Sequence, residues 1–198
     1  VLLWSLRLAW YIYQRSQKLG KEDYRYASWR EDWKGSVNIM FYFKVYMLQM
    51  ILSFAVGYPL FILNKVAVHH DFGTLWDIIG LVLWIVGFLF EAVGDYQKDK
   101  FKSNPENNNK VLKSGLWRYT RHPNYFGESF LWWGVFFILI NDLLWYQIIF
   151  APVLLTFLLL KVSGVSMLEK KYKKNDEYAL YKQQTNAFIP WFPKGEQS

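Results

Sequence analysis

The sequence predicts an all-α fold, a polytopic transmembrane helix bundle with cytoplasmic loops and a C-terminal interfacial helix, and two observations carry that prediction. Hydrophobic residues make up 53% of the chain and aromatic residues 21%, yet 23 Lys and Arg are present. The two kinds are segregated, with apolar windows almost free of charge followed by basic clusters. A soluble core needs no such windows, whereas a helix crossing ~30 Å of hydrocarbon needs about 20 apolar residues. The second observation is alternation. Residues 14–36 hold six Lys and Arg, 94–122 hold seven and 164–198 hold six, nineteen of the 23, while the turns at 64–75 and 141–142 hold only Lys65. An up-and-down path puts the rich stretches on one side, which the positive-inside rule makes cytoplasmic.

The elements follow in order. Residues 1–13 are too short to span alone and are read as the end of a longer span, the chain being taken as N-terminally truncated within a single integral membrane domain over 1–198. Residues 37–63 are long enough to span with tilt, and Gly57 with Pro59 should kink or fray the far end. Lys44 lies close enough to the cytoplasmic end for its stem to snorkel, and no function is given to it. Residues 76–93 form the next span. The apolar blocks 125–140 and 143–162 mark spans at 123–140 and 143–163, joined by Asn141-Asp142 as an antiparallel hairpin. Residues 94–122 are read as a cytoplasmic cofactor-binding loop and 164–198 as a cytoplasmic tail.

Several chemistries are excluded. There is no cysteine, hence no disulfide and no thiolate metal site. Adjacent His69 and His70 do not share a helical face, so no metal site is assigned and a solvated outer turn is read there. The net charge of +7 sits between apolar spans and is assigned to topology and anionic lipid rather than nucleic acid.

Candidate functional residues concentrate in Glu91–Glu128, EAVGDYQKDKFKSNPENNNKVLKSGLWRYTRHPNYFGE. Glu91 and Asp95 are one helical turn apart, and Lys98 and Lys102 continue that face. Arg118, Tyr119, Arg121, His122, Asn124, Tyr125 and Glu128 crowd around Pro123, which fits the first turn of a helix. A helix start offers free N–H groups and partial positive charge, and with Arg118 and Arg121 beside it forms an anion site suited to phosphates. Gly127 permits close backbone approach, and Glu128 lies one turn inside the apolar layer, where a carboxylate needs a donor.

These motifs, with GLWRYTRHPNYFGE, FLWW, AFIPW, WSLRLAWYIYQR, DYRY and VSGVSMLEKK, resemble a bacterial membrane family of unassigned function that neighbours the steroid 5-alpha-reductases. The resemblance implies NADPH held between helices open to the cytoplasm, reduction of a carbon–carbon double bond in a lipid-soluble substrate, and a bacterial inner membrane. It implies that Asp95 contacts cofactor, that Lys102 stands where an Arg is usual, and that Asn124, Tyr125, Gly127 and Glu128 match an Asn-aromatic-x-Gly-Glu signature. Arg118, Tyr119, Arg121 and His122 join them. Trp4 before Arg7 stands where those enzymes place a proton-donating Tyr, and an indole is not such an acid, so no residue is assigned as proton donor. The same Arg-His-Pro-x-Tyr-x-Gly string resembles the isoprenylcysteine carboxyl methyltransferases, which implies S-adenosylmethionine as the alternative cofactor. A non-catalytic lipid-binding protein is the third reading.

Overall fold

The computed structural model describes residues 1–19, 30, 36–65, 72–108, 110–162, 164–172 and 175–195. His69-His70 and nearly all of Asp23–Trp33 lie outside them. The described residues are helical with irregular connections and no strand. They divide into two compact units, Val1–Ala55 and Val56–Ser198.

In the first unit, α1 (Leu2–Leu19) runs beyond the apolar block into the polar Gln14–Gln17. The Arg7 guanidinium lies 6.0 Å above the Tyr11 ring, one turn along. Helix α2 (Val37–Leu63) begins here and carries a π-helical turn at Tyr42–Met47 that includes Lys44.

Pro59 does not fray α2. The helix stays regular to Leu63, and Asn64 Nδ2 donates to Leu60 O at 2.9 Å beyond it. With no water to take up freed backbone groups, an apolar segment keeps every helical bond that proline chemistry allows.

Helix α3 (Leu75–Ser103) opens on a capping box. Thr74 Oγ1 accepts from Asp77 N, and Asp77 Oδ2 accepts from Thr74 N at 2.9 Å. Asp77 is fully buried, and its Oδ1 accepts from Asn141 Nδ2 at 2.9 Å, tying the start of α3 to the turn after the next long helix. The far end differs from the predicted loop over 94–122. Residues 94–103 continue α3, because nothing between Gly94 and Ser103 breaks a helix before Asn104-Pro105. Lys98 and Lys102 therefore project from a helix, and the loop proper starts at Asn104.

Helix α4 (Pro123–Leu139) starts with Pro123 in its first turn. Among the described residues, three helices are long and apolar enough to cross a membrane, Val37–Leu63, Leu75–Ser103 and Trp145–Glu169. The predicted span over 123–140 forms α4, whose 17 residues extend about 26 Å, at the short end of the range for a crossing helix. The predicted span over 143–163 is segmented after a turn at 140–144: α5 (Trp145–Ile148), then α6 (Phe150–Phe157), which passes into a π turn at Leu158–Val162. The predicted interfacial tail holds two short helices, α7 (Val165–Lys171) and α8 (Asp176–Gln184), and ends in irregular chain.

The most extensive packing is α3 against α4, and glycines make it close. A Cβ added at Gly80 would lie 2.6 Å from Gly134 O, and one at Gly87 would lie 2.6 Å from Gly127 O. Backbone thus meets backbone over two turns, as small residues permit between helices in lipid. On its other side, α4 meets α6 through Ser129 Oγ and Thr156 Oγ1, 2.6 Å apart. Trp132, Val135, Phe136 and Leu139 of α4 line a small apolar cavity with Pro59, Ile148, Ala151 and Pro152.

Candidate functional site

The glycine contact sets what stands opposite what at the basic end of α3. A Cβ on Gly127 would press against the Glu91 backbone, and one on Gly94 would come within 3.2 Å of Asn124 N. Glu91 and Asp95 are therefore held against the first turn of α4, both buried. Asn124 Nδ2 donates to Asp95 Oδ1 at 3.2 Å, while Asn124 Oδ1 is buried and accepts no hydrogen bond. A buried acceptor left unmet costs about 1–3 kcal/mol, so this atom is one to explain. Tyr125 and Glu128 are half-buried on the same helix start.

The loop folds back on α3. Leu116 N donates to Gln97 Oε1 at 3.0 Å, the Trp117 indole donates to Gly94 O at 3.1 Å, and the Lys98 ammonium lies 5.5 Å above the Trp117 ring. Lys102, Arg118 and Tyr119 are exposed.

Arg121 is placed differently from the phosphate-facing cation that the sequence led us to expect. It is buried, and its guanidinium faces the tail. Nε and Nη2 donate to Glu169 Oε1 at 2.9 and 2.6 Å, and Nη1 donates to Lys182 O at 3.0 Å and to Thr185 O. Lys182 Nζ reaches the other Glu169 oxygen at 2.7 Å. Around this clamp, Arg121 N donates to Asn186 O, Thr120 Oγ1 to Phe188 O, Trp191 N to Tyr119 O, and Tyr181 Oη to Trp117 O. The Lys113–Glu177 pair, 2.8 Å apart, pins α8 to the loop.

His122 is buried against Tyr125, the rings stacked 5.4 Å apart, and its Nε2 is 3.7 Å from Glu169 Oε1. Burial pushes the imidazole below its ordinary pKa, an effect that Glu169 partly offsets. Burial likewise pushes the Tyr178 hydroxyl up to about 12.

The ten sequence-predicted site residues thus separate. Asp95, Asn124, Tyr125, Gly127 and Glu128 cluster where α3 meets α4, Arg121 and His122 turn to the tail, and Lys102, Arg118 and Tyr119 are exposed. Sequence reasoning missed Glu169, the hub of the clamp, and the heptad spacing of Gly80, Gly87 and Gly94 against Gly127 and Gly134. The glycine spacing was a usable signal, while Glu169 lies 48 residues from Arg121 and carried none.

Fold and site together define an all-α chain, with helices suited to a bilayer and a buried carboxylate–amide cluster where two of its helices meet most closely. The chain belongs to the family described as "Protein of unknown function (DUF1295)", matched over residues 1–185. It is 28% identical over 150 residues to an uncharacterized protein of Schizosaccharomyces pombe, covering 66% of this chain and 43% of that one. It is 30% identical over 77 residues to a probable 7-dehydrocholesterol reductase of Acanthamoeba polyphaga mimivirus, covering 31% of this chain and 17% of that protein. The chain therefore spans less than half the length of either relative. No solved structure matches it.

Proposed function

We propose that this chain carries the cofactor site of a membrane-embedded, NADPH-dependent reductase of carbon–carbon double bonds in a lipid-soluble, steroid-like substrate. The basic stretches are taken as cytoplasmic, in a bacterial inner membrane. The observation that carries the reading is the unmet Asn124 Oδ1, held beside Asp95 and Glu91. An unmet amide oxygen suits an N–H or hydroxyl donor, and neighbouring carboxylates suit ribose hydroxyls. The exposed Lys102 and Arg118, with Lys98 over Trp117, supply cations for phosphates at the same end of α3. When bound, NADPH supplies hydride. The residues of this chain would orient it, with the glycine-sealed α3–α4 contact excluding water. Similarity to the mimiviral reductase supports the reaction class.

One observation favours S-adenosylmethionine. Glu91 and Asp95 are buried carboxylates one turn apart, suited to a sulfonium, and Arg121, a cation on which a dinucleotide would draw, is taken up by Glu169. Calorimetric titration of the detergent-purified protein with both cofactors decides. Heat with NADPH alone supports the reductase, heat with S-adenosylmethionine alone overturns it, and silence with both favours a non-catalytic lipid-binding protein.

A further inference from the structure

The irregular tail after α8 leaves Ile189 65% exposed, Trp191 66% and Phe192 74%, with Tyr119 of the loop 37% exposed beside them. Three large apolar groups, each with most of its surface bare, form an exposed patch that water disfavours. Nor can these groups turn inward, because their backbone is held. Thr120 Oγ1 bonds Phe188 O at 2.8 Å, Trp191 N bonds Tyr119 O at 2.9 Å, and Lys194 N bonds Gln184 O at 2.7 Å. The Tyr119 and Phe192 rings meet edge to face at 5.9 Å. The shelf is thus pre-formed.

We propose that this shelf is a membrane-interface anchor seated in the headgroup layer of an anionic leaflet. Two observations name that occupant. The shelf hangs on Tyr119 and Thr120, four and three residues before α4 begins at Pro123 and continues as an apolar helix, so it sits where the chain changes from polar to apolar. Trp and Tyr concentrate at that level in membrane proteins. Exposed Arg118 and Lys194 flank it, and cations there are attracted to an anionic surface. The anchor sets the depth at which the first turn of α4, with Asn124, meets the bilayer. It does not depend on which cofactor that turn binds.

The chain has no cysteine, so an introduced thiol is the single labelling site. An environment-sensitive fluorophore is placed by Ile189→Cys on the full chain in lipid nanodiscs, with Glu106→Cys as the loop reference and Phe157→Cys as the mid-span reference. The expected result at 189 is a blue shift relative to 106, with loss of emission to lipid nitroxides near the headgroup exceeding the loss to nitroxides at the acyl-chain end. That loss should grow as anionic lipid replaces neutral lipid. It should fall when Trp191→Ala and Phe192→Ala are added, with 157 unchanged to show that the fold persists. Emission at 189 matching 106 would overturn the proposal. So would protection from lipid and aqueous quenchers alike, which would mean that a second copy or another protein covers the shelf, and so would indifference to lipid charge.

Discussion

The α3–α4 contact makes a quantitative demand on Gly127. A Cβ added there would lie 2.5 Å from Gly87 O, where ordinary contact begins near 3.4 Å, so Gly127→Ala must move one backbone away from the other by about 0.9 Å. No flexible side chain can absorb this, because the atoms met are the backbone of Gly87 and Glu91. Overpacking of this kind costs about 1–3 kcal/mol, and an unrelieved backbone clash belongs at the upper end. Alanine's better helix propensity returns about 1 kcal/mol, leaving a net loss near 2 kcal/mol. For a chain of this size that lowers Tm by roughly 4–8 °C. Thermal unfolding in detergent, followed by helical circular dichroism, measures it, with Gly57→Ala as control, since a Cβ there meets nothing within 4 Å. Gly87→Ala combined with Gly127→Ala should cost less than the sum of the two, because one displacement relieves both clashes. A Gly127→Ala protein that melts with wild type, or a strictly additive pair, would refute the close-contact reasoning.

Three further outcomes follow from the site. Glu169→Gln removes the carboxylate shared by Arg121, Lys182 and His122 and should cost about 3 kcal/mol, as loss of one partner does in buried pairs. Hydrogen exchange of the Trp191 and Thr185 amides should quicken with it, and unchanged protection would mean that the clamp does not hold the tail. Burial holds the His122 pKa below 6.5, so the unfolded chain takes the proton more readily; stability is then full above about 6.5 and falls as pH drops through that value. His122→Gln should flatten the decline in Tm between about pH 7.5 and about 5.5, and an equal slope in both proteins would exclude His122 as its source. Asn124→Ala should weaken NADPH binding about 2- to 13-fold, the loss of one neutral hydrogen bond worth about 0.5–1.5 kcal/mol. An unchanged Kd in calorimetry removes Asn124 from the site.

What was legible in the sequence was what depends on local pattern. The apolar blocks marked each long helix among the described residues, and Pro123 marked the start of α4, because apolarity and proline geometry act within a few residues. The turn spacing of Glu91 and Asp95 correctly put both on one helix face, and α3 then extended through Lys98 and Lys102 further than a loop boundary at 94 allowed. The block over 125–140 likewise marked α4, whose apolar run follows the polar Asn124 and Glu128 of its first turns. Packing was less legible. Glycines seven apart on two helices specify a backbone contact only when both helices are read together, and the tail strap rests on partners 48 to 72 residues apart.

Arg121 shows why residue type and position do not settle a role. Beside a helix start, an arginine reads as a phosphate ligand, and nothing in the local sequence says otherwise. A guanidinium has five N–H donors. Here one on Nε and one on Nη2 go to Glu169, and two on Nη1 go to the carbonyls of Lys182 and Thr185, so four of the five are committed. A phosphate could recruit this cation only by breaking bonds that hold the tail, which would leave Glu169 and two carbonyls to find other partners. Phosphate affinity and tail closure would then oppose each other, and by linkage each would weaken the other by the same factor. If instead Arg118, Lys98 and Lys102 supply the charge, Arg118→Ala weakens NADPH binding while tail exchange stays slow with and without NADPH. Faster tail exchange on adding NADPH would mean that Arg121 had changed partners, and that the clamp opens when the site fills.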